Sequence, residues 1–65
     1  MDFLYVLVGE NYEWEDISIV LTKEDAIKIS INNPKLRVEI FNKTIDNRYI
    51  PTYDYYQNGE YIIKK

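Results

Sequence analysis

The side chains best equipped for chemistry in this 65-residue chain are carboxylates and phenols. Glu10, Glu13, Glu15 and Asp16 crowd one short segment, and Tyr49, Tyr53, Tyr55, Tyr56 and Tyr61 crowd another. Paired carboxylates serve glycoside hydrolysis, and closely spaced acids bind calcium. The acids here lack the Asp-x-Asp-x-Asp-Gly spacing of an EF-hand loop, and so short a chain leaves no deep cleft in which to perturb a carboxylate. The sequence holds no His and no Cys, and its serines are Ser18 and Ser30. That removes the usual general base, the soft metal ligands and the reactive thiol. We therefore expect no catalytic residue, no metal site and no cofactor, and a protein that is not an enzyme.

Binding is the chemistry that remains. Tyr12 and Trp14 lie among the acids, and tryptophan, tyrosine and arginine dominate interface hot spots. Trp14 either folds back onto the core or stays available to a partner. In the second cluster, Tyr53 and Tyr55 share a strand face by alternation while Tyr56 points to the other, so one sheet face cannot bury all three. Tyrosine pairs a large contact area with a polar tip, which suits either edge packing or a binding patch. Tyr12, Trp14, Tyr53, Tyr55 and Tyr56 are thus the expected partner-binding residues. Base stacking by these rings would call for a basic groove, and only Arg48 lies close in sequence, so nucleic acid is disfavoured as a partner.

Charge points the same way. Residues 1–22 carry Asp2, Glu10, Glu13, Glu15 and Asp16 with no Lys or Arg, a charge of −5; residues 23–65 hold eight basic and six acidic groups, or +2, and the sum is the net −3. The basic residues are scattered singly, with no phosphate-binding stripe. Hydrophobic residues make up 46 % of the chain, enough for a folded domain. At this length a single core seldom nets more than roughly 3–5 kcal/mol. No disulfide or zinc site can supplement it, so association with a protein partner or with itself, as a homo-oligomer, is the expected reinforcement. The start of the chain lacks the basic residues and length of a secretory signal, and no segment approaches a membrane span. An intracellular location without membrane contact follows as the expectation, and the Asn42-Lys43-Thr44 tripeptide is too common to argue for export.

The elements that must position these residues form one α+β domain over 1–65. Residues 3–8 are an apolar run without helical spacing, which predicts a strand buried on both faces and ending at Gly9. Residues 16–21 resume with Ile17 and Ile19 alternating, giving a hairpin with an acidic, aromatic loop. Thr22 is placed to cap a helix over about 23–32, with Glu24 and Asp25 at its positive end. Ala26 and Ser30 centre the predicted buried face, Lys28 lies opposite, and Asn33-Pro34 stops the helix. Leu36, Val38 and Ile40 alternate with Arg37, Glu39 and Phe41 as a half-buried strand. Tyr49 to Tyr56 is extended but carries Pro51, which predicts an edge strand or an irregular aromatic loop. Asn58-Gly59 predicts a type I′ turn into a return strand at Tyr61-Ile62-Ile63, with Lys64-Lys65 a charged end. The order is β-β-α-β-β-β, one helix packed on a small, mostly antiparallel sheet.

Ten Ile, seven Tyr, six Asn and six Lys against one Ala, two Gly and two Arg is the usage of an AT-rich gene. With it, the run Leu21-Thr22-Lys23-Glu24-Asp25-Ala26-Ile27-Lys28, then Asn33-Pro34 before Arg37-Val38-Glu39-Ile40-Phe41, and finally Pro51 through Gly59, resembles small uncharacterised proteins of large AT-rich DNA viruses, of the giant-virus type. The resemblance implies no assigned activity and transfers no catalytic residue. It frames the expected function as an accessory or virion-associated module that binds a protein, or itself, through aromatic side chains. The alternative is an acidic decoy, its carboxylates standing where phosphates would be, that inhibits a nucleic-acid-handling host protein.

Overall fold

The computed structural model describes residues 2–64; Met1 and Lys65, the latter part of the expected charged end, lie outside them. Five strands, β1 (Phe3–Val8), β2 (Ser18–Val20), β3 (Arg37–Lys43), β4 (Tyr49–Gln57) and β5 (Glu60–Ile62), form one antiparallel sheet in the order β2-β1-β3-β4-β5. The helix α1 (Lys23–Asn32) lies between β2 and β3 in sequence and packs on one face. This is the α+β order expected from the sequence. β2 and β3 both run antiparallel to β1, which separates them. They are therefore parallel to each other, and a crossover is needed to join them, which α1 supplies.

α1 begins where the cap places it. The Thr22 hydroxyl accepts from the Asp25 N–H at 3.1 Å, with Glu24 and Asp25 in the first turn. Ala26 and Ser30 are fully buried, as the wheel predicts. They meet Tyr5 and Leu7 of β1, Val38 and Ile40 of β3 and Tyr56 of β4, with Val20, Ile27, Ile29 and Leu36 packed around this core. Ser30 has a role its sequence position does not reveal. Its hydroxyl donates to the Ile27 carbonyl at 2.8 Å and accepts the Gly59 N–H at 2.9 Å, tying the helix to the β4–β5 turn. That turn has Asn58 at φ 51° and Gly59 at φ 81°, the two positive values of a type I′ hairpin.

One expectation about the strands holds and two need correction. β1 is buried on both faces, as expected: Tyr5 and Leu7 belong to the core under α1, and Val6 on the opposite face is buried as well, although no element of the fold packs on that face. β2 is shorter than 16–21, because residues Trp14–Asp16 wind into a single 3-10 turn. β4 is a nine-residue strand inside the sheet, not an edge strand or an irregular loop. The proline argument holds locally: β5 pairs only with residues 55–57, so the far side of β4 at Pro51 has no strand partner. Between Glu39 and Phe41 the β3–β4 register shifts, with Tyr53 in the bulge at φ 71°. The Ile40 carbonyl there accepts from the Thr52 hydroxyl at 2.9 Å, which in turn accepts the Asp54 N–H at 3.1 Å.

Candidate functional site

The β1–β2 loop holds the largest exposed aromatic. Gly9 closes β1 with no Cβ; one added there would lie 2.8 Å from both Leu36 Cδ2 and Tyr12 Cε1. Glycine thus lets the Tyr12 ring fold down over the strand end and leaves it half-buried. Asn11 makes the reversal at φ 62°, a conformation asparagine tolerates better than most residues. In the following 3-10 turn the Asp16 N–H donates to the Glu13 carbonyl at 3.0 Å, and the Asp16 carboxylate accepts the Glu13 N–H at 3.1 Å. This local clasp holds Trp14 out, at 88 % exposure. Tyr12, Glu13, Trp14 and Ile17 line a shallow groove beside it. Glu10, Glu13, Glu15 and Asp16 are all exposed, so the tryptophan projects from a loop that carries four negative charges.

The tyrosine cluster divides. Tyr56 is buried at 6 % exposure, its ring 6.2 Å from Tyr5 and 5.6 Å from Tyr61, so it is a core residue and is removed from the expected partner surface. Burial raises the Tyr56 and Tyr5 phenols above their ordinary pKa. Tyr55 pairs with Glu39 and Ile62 on the helix-free face, half-buried beneath the Arg37 guanidinium 4.6 Å from its ring centre. Tyr53 is 61 % exposed, but the bulge interrupts the alternation on which a shared face with Tyr55 was argued. Tyr61 donates to Asp54 at 2.7 Å, a bond that holds its phenol protonated and raises its pKa.

Sequence reasoning missed what lies between the two groups. A groove of about 530 Å³ runs past Val8, Gly9 and Glu10 to Leu36, Arg37 and Glu39. Because Val8 pairs with Arg37, and Arg37 covers Tyr55, it leads from the Tyr12 loop toward the helix-free face. The signal for it was Arg37 and Glu39 on one face of β3, which alternation gives but strand order alone makes meaningful. Among the described residues no group of acids could hold a metal ion. No helix among them is long and apolar enough to cross a membrane, which says nothing of spanning strands.

These features define a small α+β domain with one projecting aromatic loop and one helix-free sheet face. In comparisons with protein-family models, curated proteins and solved structures, nothing matches the chain.

Proposed function

We propose that this chain is a non-enzymatic binding module that engages a protein partner, or another copy of itself, through exposed aromatic side chains, Trp14 foremost. The observation that carries this reading is the 88 % exposure of Trp14 in a turn fixed by backbone and carboxylate hydrogen bonds. An indole left in water gains more than any other side chain when a partner pocket covers it. The surrounding acids give the partner its chemistry, an apolar pocket rimmed by Lys or Arg. Tyr12, preordered on Gly9, and Tyr53 are the secondary contacts. In keeping with the resemblance to small proteins of large DNA viruses, the setting proposed is an accessory or virion-associated role inside an infected cell.

The exposed acids Glu10, Glu13, Glu15 and Asp16 also favour the decoy reading, and salt separates the two. A charge mimic loses affinity steeply with ionic strength, whereas an aromatic contact does not. Trp14→Ala should weaken partner capture by about 2 kcal/mol or more, roughly thirtyfold, with circular dichroism unchanged. Reversing Glu13 and Glu15 should chiefly slow association. Unchanged capture by Trp14→Ala, with capture abolished by the charge reversals, would replace the module with the decoy.

A further inference from the structure

α1 covers one face of the sheet, and the other has no layer on it. Register places Ile19, Val6, Glu39, Tyr55 and Ile62 in one row across all five strands, and Leu4, Phe41 and Pro51 in the next. A sheet face open to water ordinarily alternates to polar residues; here Arg37, Glu39, Lys43 and Glu60 share the face with Leu4, Val6, Phe41 and Ile62. We infer that this helix-free face is the contact between two copies of the chain, which close into a two-layer sandwich. The inference goes beyond the proposed function: it concerns a second surface, the sheet face, and leaves the Trp14 loop to its own partner.

Charge selects that occupant. Among the strand residues that alternation puts on this face, Arg37 and Lys43 balance Glu39 and Glu60, for a sum of zero, although the whole chain carries −3. The surplus acids lie elsewhere: Glu10, Glu13, Glu15 and Asp16 are in the loop, and Glu24 and Asp25 are on the helix. Two copies can therefore meet here without net like-charge repulsion at the contact. Arg37 already reaches across to Glu39 at 3.7 Å and remains 48 % exposed, which leaves it free to pair across an isologous contact.

Size limits the strength of such a contact. The strands are three to nine residues long, and at about 3.3 Å per residue and about 4.8 Å between strands they give a flat footprint of roughly 440 Å² per copy, before side-chain relief and the rim loop are added. That lies below the roughly 600 Å² per partner at the low end of specific interfaces, so the dimer should be weak and concentration-dependent rather than obligate. Packed sheets stand about 10 Å apart, a gap that Leu4, Val6, Phe41, Tyr55 and Ile62 are large enough to fill.

Sedimentation equilibrium of the whole chain tests the inference. The mass should rise from 7.9 kDa toward twice that value as concentration increases. Ile19, 59 % exposed on the face, gives a variant that should still fold: Ile19→Lys should raise the dimer dissociation constant at least tenfold with an unchanged circular dichroism spectrum. Phe41→Lys should do the same more strongly. Ile45→Lys, a charge placed on a fully exposed residue outside the sheet, should leave the dimer intact. A chain that stays monomeric up to about 0.5 mM overturns the inference. So does a dimer that survives both face substitutions in folded protein. A dimer lost in Trp14→Ala but kept in Ile19→Lys also overturns it, while supporting the loop as the binding surface.

Discussion

Removing one oxygen from the interior should show how this small fold is held together. Ser30 is fully buried, and its hydroxyl uses both capacities at once, donating to Ile27 and accepting from Gly59. Ser30→Ala returns the Ile27 carbonyl to ordinary helical bonding but leaves the Gly59 N–H without its acceptor in a part-buried turn. An orphaned donor of this kind costs about 1–3 kcal/mol. Against a total stability of roughly 3–5 kcal/mol, about 2 kcal/mol is a large share. At this chain length it should lower Tm by about 8–16 °C. Thermal and urea unfolding of Ser30→Ala beside Ser18→Ala, an exposed serine of β2, would measure it, and amide exchange at Gly59 would locate it. Ser18→Ala should be silent, and Gly59 should exchange faster in the Ser30 variant. A loss below about 0.5 kcal/mol with Gly59 exchange unchanged would refute the claim that this hydroxyl joins helix to hairpin.

Two further outcomes follow from the same packing. Thr22→Ala should cost about 1 kcal/mol through loss of the Asp25 N–H acceptor, whereas Lys28→Ala on the exposed face should be nearly neutral in urea unfolding. Tyr5 and Tyr56 have pKa values raised above 10.0 by burial, so their neutral forms belong to the folded state. Above pH 10 the unfolded chain releases these protons first, and stability present below that pH should fall as pH rises through the folded values; stability that is flat from pH 9 to 12 would argue against the buried tyrosine pair.

What the sequence made legible was local. Thr22 with Glu24 and Asp25, Asn33-Pro34, the alternation of Leu36, Val38 and Ile40, and Asn58-Gly59 each fix backbone conformation through neighbours within a few residues, and each element stands where expected. The failures involve partners far along the chain. Pro51 argued for an edge, and only the short reach of β5, pairing with residues 55–57, reconciles a proline with an interior strand. Alternation put Tyr53 and Tyr55 on one face, but it fails at a bulge whose only trace in the sequence is Thr52, whose hydroxyl serves the Ile40 carbonyl. Trp14 could be core or surface until the Asp16 carboxylate closed on the Glu13 N–H, a contact three residues long that neither helix nor strand patterns describe.

β1 is the most instructive strand. Phe3 to Val8 has the unbroken apolar composition of a strand covered on both sides, and in a parallel α/β sheet helices would supply both covers. A chain with one ten-residue helix can supply one. Tyr5 and Leu7 receive it, while Leu4 and Val8 stay half-buried around Val6 on the side where Phe41 and Ile62 also lie. A sequence under no pressure to cover that side would carry Thr, Lys or Glu there, since none of those positions belongs to the core cluster under α1. The inferred contact with a second copy would account for their apolar character, and the zero net charge of the same surface is compatible with it.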